Sequence, residues 1–327
     1  MATQSAPLIF GFAVNENNEV QKLEWADLAG GLSRWKDGRV WLHLNRLVPE
    51  SKVWVQNVFK ADPIIVDALF REDTRPRSFQ HEAGWLINLR GVNFNDAPQK
   101  ETMIALRMWV TDSVVISTRA YKIKAAEDLA QTFLDGAPPV SNGHLVAHLA
   151  NRLVARIEPA IDALSDSVDE LDERLAGENA QISKSELAET RRKAISLRRY
   201  MLPQKEALNV LFLENGPVFD DASRREIRET NDALIRLTED LESVRDRAQI
   251  VQDQVTELRA ENMNQRLFIL AIISAIFLPL GFVTGLFGVN VGGMPGVDSN
   301  WAFGALCGGL VGLSVGLILL FRRTGWM

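Results

Sequence analysis

The sequence predicts an α/β domain, then long α-helices, then two C-terminal transmembrane helices. Three observations carry this. Up to residue 119, short β-branched and aromatic runs alternate with helical patterns. Apolar residues then recur at spacings of three and four as far as Leu258. Finally, Leu267–Val289 and Trp301–Phe321 are apolar stretches of spanning length, and Asp298 is the only charged residue from 267 to 321.

The predicted strands are 8–14 (LIFGFAV), 40–44, 85–92, 103–110 and 114–118, each bounded by Asp, Gly or Asn. Pro49–Phe59 and Pro63–Phe70 have helical spacing and open on a proline, whose missing N–H costs nothing at a helix start. Trp25, Trp35, Trp41, Trp54, Trp85 and Trp109 read as core. A short helix is expected over Ala125–Leu134, ended by Gly136-Ala137-Pro138-Pro139. Ser141 or Asn142 then caps a helix running to Leu175. Ser183 with Glu186 forms a capping box for the next, which ends at Leu213 before Asn215-Gly216-Pro217. These two helices form an antiparallel hairpin that is strongly acidic near its joint.

The clearest periodicity follows. Leu234, Leu237, Leu241, Val244, Ala248, Val251, Val255 and Leu258 keep a heptad register that continues through Asn262 and Gln265 into Ile269, Ile272 and Ile276. With no breaker between them, one helix from about Asp221 to Gly288 is expected, on the order of 100 Å long. Its simplest use is a coiled-coil stalk that holds an oligomer together. The second apolar run carries Gly304, Gly308, Gly309, Gly312 and Gly316, which permit close helix packing in lipid. Arg266 before the first span and Arg322-Arg323 after the second place both ends in the cytosol. The expected division is therefore 1–140 cytosolic α/β domain, 141–219 acidic hairpin, 220–266 stalk, 267–289 first span, 290–300 external loop, 301–321 second span and 322–327 cytosolic basic tail.

Composition excludes several classes. A net charge of −6 and the lack of a basic tract argue against nucleic acid as a partner. The single cysteine, Cys307, permits no intramolecular disulfide and no CxxC metal knuckle, and is read as packing in the second span. No basic and apolar signal pattern opens the chain, so the N-terminal bulk is expected to remain cytosolic. No nucleophile triad, P-loop or Rossmann fingerprint appears, and no enzyme activity or cofactor is expected.

Two helices per chain cannot enclose a path, so passage of an ion requires a ring of chains. In the first span, small and polar residues recur at helical spacing: Asn264, Ser274, Gly281, Gly285 and Gly288, interleaved with Leu267, Leu270 and Leu278. Asn290 stands at the exit, where a ring of uncharged carboxamides would hydrogen-bond the water shell of a cation without trapping it.

Gly288-Val289-Asn290 after a proline-containing span, then a short loop and a second span at the C-terminus, resembles the CorA superfamily of divalent-cation channels and transporters. FLPLGFVTGLFGVNVGGMPG, with DTRPR (Asp73–Arg77) and LINLRGVN (Leu86–Asn93), is similar to the ZntB zinc-transport branch. The resemblance implies a homopentameric funnel in the inner membrane, a selectivity motif Gly288-Val289-Asn290, and a pore lined by Asn264, Leu267, Leu270, Ser274, Leu278, Gly281 and Gly285. The cargo it implies is Zn2+, with Cd2+, Ni2+, Co2+ and Mg2+ as further ions and protons as a coupled species. Two rivals stand beside it: a magnesium or cobalt channel of the same superfamily, and a membrane-anchored sensor with non-conducting spans.

The residues constrain the ion's state. Leu267–Val297 contains no Cys, His or carboxylate, the ligands zinc prefers, so a cation crossing here keeps much of its water. Asp162, Asp166, Asp169, Glu170, Asp172 and Glu173 are expected to concentrate cations by their field at the cytosolic mouth. His144 and His148, four apart on a helix, have a metal-binding spacing but no third ligand nearby in sequence, and read as a helix-face pair.

Overall fold

Strands as apolar as MIALRMWV need cover on both faces, and helices supply it here. The computed structural model describes residues 6–72, 74–95, 102–177, 184–214, 216–289, 296 and 299–325. Two compact units divide the chain, Met1–Gln252 and Asp253–Met327.

The first unit holds a seven-stranded sheet: β1 (Leu8–Val14), β2 (Val20–Leu23), β3 (Arg39–Asn45), β4 (Arg77–His81), β5 (Gly84–Val92), β6 (Met103–Val110) and β7 (Val114–Arg119). Its spatial order is β2-β1-β3-β7-β6-β5-β4. β3 and β7 pair in parallel, and the other neighbours are antiparallel. Helices α1 (Pro49–Asn57) and α2 (Pro63–Phe70) lie on the face carrying Val40, Leu42, Leu44, Leu86, Trp109 and Ile116. The opposite face presents Phe12 and Trp41, whose rings meet Phe133 of α3 (Lys124–Leu134) at centroid distances of 4.9 and 5.3 Å.

The five predicted strands are present with ends within two residues. β2 and β4 were not anticipated, for a physical reason. Both are outermost strands, and their sequences VQKL and RSFQH are polar because an edge strand has one neighbour and a wet side. Trp41, Trp54, Trp85 and Trp109 are buried, while Trp25 and Trp35 are only half-buried against the core.

The helix expected from Ser141 to Leu175 is two helices, α4 (Asn142–Ala155) and α5 (Glu158–Ala176). Pro159, in the first turn of α5, lacks the N–H that would have bonded back to Ala155, so the helix restarts there. Ser141 is the cap, its side chain accepting from the His144 amide, while the Asn142 side chain donates instead to the Thr111 and Asp112 carbonyls. Gly143 is required because α4 passes close to other backbone: a Cβ there would lie 2.3 Å from the Val218 carbonyl oxygen. α6 runs Lys184–Leu213, and the expected capping residue Ser183 lies outside the described residues.

The long helix is present as predicted: α7 spans Asp221–Gly288, 68 residues without interruption. Within the first unit its heptad face is already occupied. Leu234, Leu241, Val244, Ala248 and Val251 are buried, and side-chain bonds tie the helix to α5 and α6. Arg198 Nε donates to Glu242 at 3.0 Å, and Arg247 donates to Asp169 at 2.5 Å and to Ser165 Oγ at 2.6 Å. The apolar seam through Val251 is thus filled by the chain's own hairpin. The second unit contains the rest of α7 and α8 (Ala302–Arg323).

Candidate functional site

Both helices of the second unit are long and apolar enough to cross a membrane, and almost none of their apolar windows is buried in the chain. A buried helix of a soluble core would show the opposite.

Each helix has one covered side. Over Leu267–Gly288 of α7 the covered and half-covered residues are Ile272, Ile276, Pro279, Leu280 and Val283. On α8 the half-buried set is Ala302, Leu306, Leu310, Ser314, Leu317 and Phe321, again one face. At about 100° per residue, Asn264, Leu267, Leu270, Ser274, Leu278, Gly281, Gly285 and Gly288 fall within an arc of about 120°. That arc is centred on the side of α7 away from Ile272 and Val283. All eight residues are exposed in the single chain. Ser274 keeps its hydroxyl within the helix, donating to the Leu270 carbonyl at 2.8 Å. Val289 is half exposed, and Asn290 lies outside the described residues.

Of the glycines of α8, Gly304, Gly308 and Gly312 face away from its covered side, while Gly309 and Gly316 flank it. A Cβ added at Gly304, Gly308, Gly309, Gly312 or Gly316 would meet nothing within 4 Å, so they do not serve packing within this chain. Cys307 is a free thiol, exposed in the single chain.

The acidic hairpin separates cleanly into two sides. Ile161, Leu164, Val168 and Leu171 are buried on α5, while Asp162, Asp166, Asp169, Glu170, Asp172 and Glu173 are all exposed. Of these, Asp169 is held by Arg247, a partner 78 positions away that sequence reading missed.

His144 and His148 do share a face of α4, with ring centroids 6.4 Å apart. The fold brings each a carboxylate from the start of α7 or just before it: Asp220 lies 3.8 Å from His144 Nδ1 and Glu226 lies 3.5 Å from His148 Nε2. Burial lowers the His148 pKa, Glu226 opposes this, and Arg152 and His144 add to the lowering. Hydrogen bonds from Ser223 hold Asp220 below the usual carboxylate range. The four groups form two separate imidazole–carboxylate pairs and do not converge on one point. No sequence signal linked Asp220 or Glu226 to these histidines.

The sequence profile of CorA-like Mg2+ transporter proteins matches residues 36–323. The chain belongs to this family. It is a CorA-family divalent-cation transporter, and relatives agree along most of its length. Zinc transport protein ZntB of Yersinia enterocolitica is 32% identical over 287 residues, 88% of each chain. Divalent cation transporter CmaX of Pseudomonas aeruginosa is 33% identical over 322 residues, covering 98% of this chain and 97% of that one. The solved full-length CmaX structure superposes over 100% of both chains with a TM-score of 0.83 at 32% identity.

Proposed function

We propose that this CorA-family chain forms a homopentamer in the bacterial inner membrane and carries zinc inward through a central pore lined by α7. The N- and C-termini are cytosolic in this reading. The single observation that carries it is the stripe from Asn264 to Gly288, exposed and opposite the side of α7 that is covered at Ile272, Ile276 and Val283. In a monomer such a stripe faces lipid. In a ring it faces the axis, where Gly and Ser leave room for a hydrated ion. The relatives named zinc transport protein ZntB, at about 32% identity, support zinc as the cargo. Cd2+, Ni2+, Co2+ and Mg2+ are the further ions of this reading.

The functional division then follows the expected one: 1–140 gathers the cytosolic domain, 141–219 the acidic hairpin, 220–266 the stalk, and 267–289 and 301–321 the spans around the 290–300 loop. Gly288, Val289 and Asn290 form the outer constriction. With no His, Cys or carboxylate in Leu267–Val297, the pore holds the ion through its water shell, and any proton coupling lies outside this segment. The same observation favours a second reading, a magnesium or cobalt channel, because a hydrated-ion path carries no preference for zinc.

Flux into proteoliposomes, with Zn2+, Mg2+, Co2+ and Ni2+ compared with and without a pH gradient, decides among these. Zn2+ entry that exceeds Mg2+ supports the proposal, and the reverse order supports the second reading. Pure oligomer that passes no ion refutes transport and leaves a membrane-anchored sensor. Asn290→Ala should scramble or abolish selectivity, while His144→Ala with His148→Ala should leave flux nearly intact.

A further inference from the structure

The β4–β5 hairpin turns at His81-Glu82-Ala83-Gly84, beside the start of α2. Glu82 takes a left-handed conformation with φ 47°, which bends the chain back immediately after His81. Asp62 is the N-cap of α2, its Oδ1 accepting from the Ile64 amide at 2.7 Å. The same oxygen lies 3.3 Å from His81 Nε2. That nitrogen is shielded from solvent and makes no hydrogen bond. Beside it, the Trp109 ring sits at 6.3 Å, steeply inclined, and limits how the imidazole can turn. One ligand atom each from Asp62, His81 and Glu82 lies within 4.8 Å of the other two, the one such trio among the described residues.

These spacings match a metal's needs. Two donors each about 2.0–2.1 Å from a tetrahedral ion stand about 3.3 Å apart. The Asp62–His81 pair is already at that separation, and the Glu82 carboxylate is exposed and close enough to swing in. The amide of Ile64, bonded to Asp62, orients the carboxylate in the way outer-shell donors orient metal ligands.

We infer that the first unit carries a site for a zinc-class divalent cation, ligated by His81 Nε2 and the carboxylates of Asp62 and Glu82, with water in the fourth position. A neutral imidazole with two carboxylates suits Zn2+, Co2+ or Ni2+ and disfavours Mg2+ and Ca2+, which take oxygen ligands. The site lies in the α/β domain, so it neither requires nor implies the pore reading. It would give the protein a zinc-over-magnesium discrimination that Leu267–Val297 lacks. Because its ligands come from α2 and from the turn between β4 and β5, an ion there clips an edge hairpin to a helix.

The test is titration of the full-length protein in detergent with Co2+ alone, read by the visible absorption of tetrahedral cobalt, followed by displacement with Zn2+ and with Mg2+. The expected result is a saturable signal in the wild type that Zn2+ abolishes and Mg2+ does not. His81→Ala should weaken cobalt affinity at least about tenfold. Glu82→Gln should weaken it too, as should Asp62→Asn, which keeps the helix cap because Asn caps as well as Asp. His144→Ala with His148→Ala should leave it unchanged. An isotherm in His81→Ala that superposes on the wild type, with folding verified by circular dichroism, overturns the assignment. So does the lack of any cobalt signal in the wild type, or its loss only in the His144/His148 variant.

Discussion

His43 makes the first unit of this transporter sensitive to mild acid. It is fully buried on β3, stacked on Phe10 at 4.6 Å, with Nδ1 2.8 Å from Ser117 Oγ. The Ser117 hydroxyl gives its proton to the Leu42 carbonyl at 3.1 Å and accepts from Trp41 Nε1 at 2.9 Å. It must therefore accept from His43 as well, which fixes the proton on Nδ1. Nε2 is left as a buried lone pair without a partner. A second proton there would be a charge with no acceptor, so burial, reinforced by nearby Arg119, drives the pKa well below 6.5. In the unfolded chain the ring takes up that proton near pH 6.5. Below that pH the unfolded state binds a proton the folded state refuses, so stability falls as pH falls. The slope is about 1.4 kcal/mol per pH unit, or about 2 kcal/mol between pH 6.5 and 5. Urea unfolding of the full chain in detergent, followed by tryptophan fluorescence, reads this, since Trp41 reports from beside the ring. His43→Gln, whose amide can still donate to Ser117, should remove this component and flatten the profile by that amount. Superposable pH profiles for the two proteins would refute the argument.

Three further outcomes follow from the geometry. Gly143→Ala should destabilise the first unit by about 1–3 kcal/mol, because its Cβ meets the Val218 carbonyl and not a side chain that can yield; thermal unfolding measures it. Ser141→Ala should cost about 1 kcal/mol by the same assay, through loss of the α4 cap. Replacing Asp162, Asp166, Asp169, Glu170, Asp172 and Glu173 with their amides should slow cation flux about tenfold at low ionic strength. The difference should disappear in high salt, where exposed charges are screened.

Legibility in the sequence depended on whether the signal was local. α7 was readable end to end, because its heptads and its apolar span share one register and no breaker separates Leu258, the last apolar heptad residue, from the start of the span at Leu267. The inner strands were readable because both of their faces are buried. β2 and β4 were not, since polar edge strands look like loop, and the break at Arg156-Ile157 was hidden behind good helix formers on either side of Pro159. The stripe on α7 could be located from spacing alone, but its direction relative to the covered side could not. Contacts between distant positions left no trace. Examples are Asp62 with His81, Asp169 with Arg247, and the Arg90 amide donating to the Gln204 side chain across 114 positions.

The join between β3 and β7 is the parallel one in the sheet, and no hairpin sets its alignment. His43 stands directly opposite Ser117 across that join, with Trp41 two residues earlier on the same face. A shift of one residue would turn both rings to the face lined by α1 and α2 and break all their bonds to Ser117. The buried polar trio therefore acts as a key that fits one alignment. It also sets an order of events. Until the ribosome has delivered β7, β3 has an open edge and the key has no lock, so the sheet closes late in its own synthesis. Closure still precedes the emergence of the first apolar span, which begins well over a hundred residues further along the chain.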